Sequence, residues 1–303
     1  MGARTEYVSW RNLTAGAMVT LVVSLSVHAV MLQGLHVAYP YSFPKAGLAR
    51  LPDGILSVLG AFYFSAHLPR DIRDRSYGVR CALLFLLLAT IHESLFRGAF
   101  MEFINLSNFT LYPFLDNVPK LIPYAIIAIG VESWTRRKRS LFAHLVAAVL
   151  LAAIAILVIR PFANYVFAGV IHFTEAREGN QRYGLPYDWH ILLPAYLTFL
   201  EPVVAALVIG HTIRPKLPPK PITRFFITAA LILALKGPVF APLLNIFYAN
   251  TSAFAAVLSY AQFTFETMAL GFLTAATLGL SFHAAEGIQD PEPLGEGTRV
   301  AKD

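Results

Sequence analysis

Apolar runs of about 20 residues, the length that crosses a hydrocarbon core of roughly 30 Å, recur from one end of this chain to the other. They lie near 14–34, 51–68, 81–100, 118–134, 141–160, 190–212, 224–247 and 254–281, with short polar loops between them. In lipid, every backbone N–H and C=O must be satisfied within the protein, so such runs fold as helices packed into a bundle. Composition agrees, since 56% of the 303 residues are hydrophobic and 14% charged, where a soluble domain carries about 25% charge. The fold class read from this pattern is all-α: a polytopic transmembrane bundle of about eight spans. Residues 1–284 read as a single integral membrane domain and 285–303 as a disordered cytoplasmic tail.

The basic residues give an orientation. Arg70, Arg73, Arg75 and Arg80, then Arg136, Arg137, Lys138 and Arg139, then Arg214, Lys216 and Lys220 fall in alternate loops, on the side that also holds Arg4 and Arg11. The positive-inside rule makes that side cytoplasmic and puts both termini there, in what reads as a bacterial inner membrane. This placement explains the net charge of +6. Nucleic-acid binding is therefore not expected, and no phosphate-binding glycine loop is present. The run Thr14 to Gly34 lacks a small-residue cleavage site and reads as a retained first helix. Cys81 is the single cysteine, which excludes an internal disulfide and a cysteine-built metal site. The stretch PFANYVFAGVIHF, at the start of 161–189, is expected to lie along the outer membrane surface.

Charges inside the spans point to function. Glu93, Glu201, Lys236 and Glu266 each fall about half-way through a run, with His28 and His92 near the same level. An isolated charge at that depth costs roughly 2.5–3.5 kcal/mol, so these side chains should face one another or water. The third, sixth, seventh and eighth helices, joined by the first, are expected to converge on one polar centre. Thr20, Ser24 and His28 repeat every four residues, as do Gln262 and Glu266, and each set forms a stripe on one helix face. Glu93 and Arg97 share that spacing and read as an intrahelical salt bridge. Lys236 precedes Gly237 and Pro238, so the seventh helix should break beside its lysine. Lys236 is expected to neutralise Glu201 or Glu266, leaving a surplus carboxylate. Gly271, Ala275 and Gly279 form a small-residue stripe suited to close helix contact.

Other chemistries are less well served. His92 and Glu93 are adjacent and point about 100° apart on a helix, and Phe96 stands where an HExxH zinc motif needs histidine. No metal or cofactor is expected. The segment HESLFRG at 92–98 resembles the glutamate-glutamate-x-x-x-arginine motif of the CPBP family of intramembrane proteases. That resemblance implies site roles for Glu93, Arg97 and the downstream His144. The sequence departs from it at His92, which replaces the first glutamate, and at Ser140, where phenylalanine is expected; no later histidine-x-x-x-asparagine element follows.

Three functions are compatible with this reading. The first is a multi-pass transporter or permease for a small solute, proton-coupled through His28, Glu93, Glu201, Lys236 and Glu266. The second is an intramembrane enzyme modifying a lipid or lipid-linked substrate, with His92, Glu93 and Arg97 catalytic and Lys120 and Arg160 holding an anionic headgroup. The third is a non-catalytic subunit of a membrane complex. Expected partners are the lipid bilayer, a solute or lipid substrate, and a second copy or another membrane subunit.

Overall fold

A computed structural model describes residues 6–39, 47–105, 112–135, 140–174 and 187–284. The basic run 136–139, the stretch 175–186, Asn108 and the tail 285–303 lie outside the described residues.

The described residues are all-α apart from two three-residue strands, β1 (Glu6–Val8) and β2 (Phe282–Ala284). Helix α1 (Trp10–Ala29) winds into a π-helical turn ending at Gly34 and is followed by α2 (Gly47–Ala66) and the single turn α3 (Arg70–Arg73). Next come α4 (Tyr77–Ile91), α5 (Arg97–Asn105) and α6 (Tyr112–Thr135). Helix α7 (Leu141–Ala153) passes through a π-helical turn, Ile154–Ile159, into α8 (Arg160–Thr174). The last set is α9 (Trp189–Thr198), α10 (Leu200–Ile213), α11 (Pro221–Lys236), the short α12 (Ala241–Leu244) and α13 (Ala253–Ser281). Ser9, Ser140 and Ser252 start helices by accepting a hydrogen bond from a backbone N–H three residues on, which satisfies one of the first-turn donors.

Among the described residues, five helices are long and apolar enough to cross a membrane: Trp10–Gly34, Pro113–Thr135, Leu141–Val170, Trp189–Lys216 and Ala253–Ser281. Pro221–Lys236 with Ala241–Phe247 makes a sixth if that pair, bent by 44°, is one span. The expected count of eight is not reached by this measure. Helix α4 has only 15 residues, and α2 carries Arg50 and Asp53 in its first half.

Polarity is arranged inside out. Leu150 is 57% exposed and Val158 57%, whereas Ser24, Gln262 and Thr274 are fully buried. Apolar side chains turned outward and hydroxyls turned inward describe an integral membrane protein. One core joins Leu25, Val58, Leu88, Val131, Ala148, Phe199, Ile232 and Leu270, so helices from the whole chain share it.

Two spans depart from their expected course. The third run does not continue to residue 100: α4 stops at Ile91, and Glu93 takes the left-handed conformation at φ 58°. The fifth continues past residue 160 where a surface-lying segment was expected. Pro161 has no N–H to donate, and the π-helical turn just before it relaxes the spacing its ring needs, so the helix runs through. The Gly271 stripe is used within the fold: a Cβ there would stand 2.9 Å from the Ala229 carbonyl oxygen of α11, whereas one at Gly279 would meet nothing within 4 Å.

Both ends of the described chain meet. Strands β1 and β2 pair antiparallel, with Tyr7 opposite His283, and the Ser9 N–H donates to the Ser281 carbonyl at 2.8 Å. Arg214 donates to the Leu278 and Phe282 carbonyls, which ties the basic loop after α10 to the same end.

Candidate functional site

Glu93 sits at the break between α4 and α5, and its carboxylate bridges two cations. One oxygen accepts from Lys236 Nζ at 2.6 Å and the other from Arg97 Nε at 2.6 Å. Lys236 is also 3.5 Å from Glu266 of α13. One lysine thus stands between two carboxylates, all three largely buried, with side-chain exposures of 21% for Glu93, 11% for Lys236 and 7% for Glu266.

Local structure explains why each group arrives there. Lys236 is the last residue of α11, because Gly237 turns extended at ψ 137° and Pro238 follows. Glu266 lies 13 residues into α13, roughly 20 Å from its start at 1.5 Å per residue, hence near the middle of that 29-residue helix. Glu93 projects from a non-helical turn closed by two backbone bonds, Ser94 N–H to the Ala89 carbonyl at 2.8 Å and Gly98 N–H to the Glu93 carbonyl at 2.9 Å. Gly98 suits the close approach: a Cβ there would stand 3.1 Å from that carbonyl oxygen, tighter than an ordinary contact. Asn117 of α6 pins the turn by donating to the Ser94 carbonyl. A non-glycine residue at positive φ costs of order 1–3 kcal/mol and persists where its surroundings hold it.

Glu201 has a different task from the one its depth suggested. Its carboxylate accepts from three successive backbone N–H groups, Leu95 at 3.0 Å, Phe96 at 3.0 Å and Arg97 at 2.5 Å, and so caps α5. Lys236 therefore neutralises Glu93 and Glu266 and leaves Glu201 to the backbone. The Glu93–Arg97 pair exists, but it spans a helix break; the four-residue spacing survives only because the turn folds back on itself. Arg97 also donates to the Ala195 carbonyl and to Thr198 Oγ1 at the end of α9, and both Arg97 and Lys236 lie over the Phe199 ring, at 5.2 Å and 5.9 Å from its centre. Phe199 is the single residue joining α9 to α10 within the continuous span Trp189–Lys216. Two interrupted helix pairs, α4–α5 and α11–α12, thus meet around one ion cluster.

The histidines flank this cluster. His92 stacks on Tyr124 with ring centres 4.9 Å apart, and its Nε2 is 3.4 Å from Ser57 Oγ, which donates to the Leu235 carbonyl at 2.9 Å. His28 packs against Phe263 at 4.9 Å, and its Nδ1 is buried with no hydrogen-bond partner. Of the cations considered for a headgroup, Lys120 pairs with Asp116 at 2.6 Å and is 3.9 Å from Glu102.

Sequence reasoning missed a second buried ion pair. Glu132 of α6 is 2% exposed; it accepts from Arg80 Nε at 2.9 Å and from Ser65 Oγ at 2.5 Å. Arg80 is tied in turn to the Arg73 carbonyl at 2.5 Å. The signal was present in Glu132 as an acid inside the apolar run, close to the basic loop that neutralises it.

Two grooves open elsewhere. One, of about 230 Å³, is lined by Phe64, Arg80, Leu87, Thr90, Val208 and Thr212; the other, of about 650 Å³, lies at the terminal end and is lined by residues including Gly210, Arg214, Thr228, Ala275 and Phe282. Neither is lined by His28, His92 or Arg97. Among the described residues, no group of three or more His, Cys, Asp or Glu side chains is placed to hold a metal ion.

His144, implied by the protease-like motif, packs edge-on against Phe62, and its Nδ1 pairs with the Ser140 carbonyl at 2.9 Å. Glu93 and Arg97 are engaged with Lys236, Ala195 and Thr198 instead. Compared with protein-family models, with curated proteins and with solved structures, the chain matches none of them.

Proposed function

We propose that this protein is a multi-pass transporter or permease for a small solute in a bacterial inner membrane, coupled to protons through Glu266. The observation that carries the reading is Lys236, held 2.6 Å from Glu93 and 3.5 Å from Glu266 at a helix break. Glu93 is already neutralised by Arg97, so the closer of the two lysine contacts is duplicated and the longer one is free to change. When Lys236 stays with Glu93, Glu266 takes a proton; when it moves toward Glu266, the proton leaves. Interrupted helices around a buried ion cluster supply segments that rock with such an exchange and are characteristic of secondary transporters.

The lipid-enzyme reading needs a histidine open to a lateral groove, and no specific observation favours it: His92 is stacked on Tyr124. On the positive-inside rule, the end of the bundle that holds the paired β1 and β2 strands and Arg214 faces the cytoplasm.

The test is proton movement in liposomes holding the purified protein and an internal pH dye, presented with panels of sugars, amino acids, organic anions and organic cations. At least one class is expected to drive proton movement with the wild type and not with Glu266→Gln. Solute uptake that leaves internal pH unchanged would remove the coupling, and the absence of uptake in every class would remove transport.

A further inference from the structure

The contact between α1 and α13 is unusual for two helices in a membrane, because the side chains buried in it are largely hydroxyls and amides. Thr20, Ser24, Gln262, Thr267, Thr274 and Thr277 are each less than 5% exposed. The helices run antiparallel, as shown by the Ser9–Ser281 backbone bond, the approach of Gly16 to Thr277 and the packing of His28 on Phe263. This register puts Ser24 between the levels of Thr274 and Glu266. The polar residues then form a line from the ion cluster toward the terminal end, roughly 16 Å from Glu266 to Thr277 at the helical rise.

Hydroxyls in membrane helices ordinarily satisfy themselves on the carbonyl one turn back. Thr20 does so on Gly16 at 2.7 Å and Thr267 on Phe263 at 2.9 Å. Ser24 Oγ and Thr274 Oγ1 do not: both are buried without a protein partner, as are Gln262 Oε1 and His28 Nδ1 near Glu266. Leaving a buried polar group unmatched costs about 1–3 kcal/mol, and such groups are commonly matched by ordered water. Four of them along one seam are otherwise unexplained. Thr274 also backs onto the groove of about 650 Å³ at the terminal end, whose wall includes its neighbour Ala275 together with Gly210 and Thr228. A Cβ at Gly210 would meet both Thr228 and Thr274 within 3.8 Å, so little separates seam from groove.

We infer that the α1–α13 seam is a water path joining that groove to Glu266. Its use as the proton route rests on the proposed transport function; its hydration does not. Along it, an O–H bond of a hydronium breaks as one forms on the Glu266 carboxylate, and the reverse transfer returns the proton to groove water. The groups facing Glu266 are Lys236 from α11, Glu93 from the turn after α4, Arg97 from α5 and Tyr39 beyond α1, with His28 of α1 packed on Phe263, one turn from Glu266 on α13.

The experiment uses the full chain in liposomes, with Cys81→Ser as background and single cysteines introduced as Ser24→Cys and Thr274→Cys. The probe is Ag⁺, a thiol-reactive ion close to water in size, and the readout is loss of maleimide labelling after denaturation. Both cysteines are expected to react at least ten times faster than Val131→Cys, which is equally buried but lies in the apolar core on α6, away from α1 and α13. Rates equal to that of Val131→Cys would overturn the path. If either variant fails to elute as a folded species, Thr277→Cys reads the same seam one turn lower. Because Ag⁺ entry needs no solute, a reactive seam in a protein that moves no protons overturns the transport reading alone, and an unreactive seam overturns the path whatever the flux.

Discussion

Two buried ion clusters hold this bundle, and they are built on opposite plans. Around Glu132, one carboxylate meets one guanidinium, and the remaining valences are filled by Ser65 and by backbone carbonyls of the α3 segment. Around Lys236, two carboxylates compete for one ammonium, and a second cation already serves one of them. The first joins continuous helices near their ends; the second lies where helices are interrupted. A saturated pair has one low-energy arrangement and acts as a brace. A cluster with a spare carboxylate has at least two arrangements, and a proton can select between them.

The largest effect should come from breaking the brace. Arg80→Leu leaves Glu132 charged and buried, and unpairing a buried ion pair costs about 3–5 kcal/mol. Unfolding of the purified protein in detergent should show that loss, and Glu132→Leu added to Arg80→Leu should recover part of it. Equal stability of the single variant and the wild type would mean that the pair is not a brace.

Glu201→Ala should come next. It orphans three N–H donors at the start of α5, at about 1–3 kcal/mol for a buried group left unmatched, and it should loosen the Glu93 turn. Hydrogen exchange at Leu95, Phe96 and Arg97 should rise while exchange in α13 stays put; uniform change across both would deny the local role.

Gly271→Ala should cost about 1–3 kcal/mol through overpacking against Ala229, and Gly279→Ala should stay within about 0.5 kcal/mol of wild type. A reversed order would show that the stripe serves an outside partner and not α11.

Glu266→Gln should have a smaller stability effect than Arg80→Leu, Glu201→Ala or Gly271→Ala, within about 1 kcal/mol, because Lys236 keeps its shorter bond to Glu93. A loss as large as that of Arg80→Leu would erase the distinction between the clusters.

Much of this was legible in the chain itself. Apolar runs announced the helices, the Lys236–Gly237–Pro238 sequence announced the break in the seventh, and the stripes at Thr20, Ser24, His28 and at Gln262, Glu266 announced a polar seam. The break in the third run was not legible, because ATIHESLFRG has no proline and its glycine comes after the turn. What stops α4 is Glu201, more than 100 residues away, whose carboxylate offers the Leu95, Phe96 and Arg97 N–H groups a better acceptor than a continuing helix does.

The sequence by itself determined that this is a helical membrane protein and which ionisable side chains it carries into the spans. Hydrophobicity and residue type are local quantities, and crossing a membrane is decided segment by segment. Tertiary structure alone decided which charge meets which: that Lys236 takes Glu93 and Glu266, that Glu201 goes to the backbone, and that Glu132 finds Arg80. Those choices depend on distances between helices far apart in the chain, and depth along a span says nothing about the direction in which a side chain points around it.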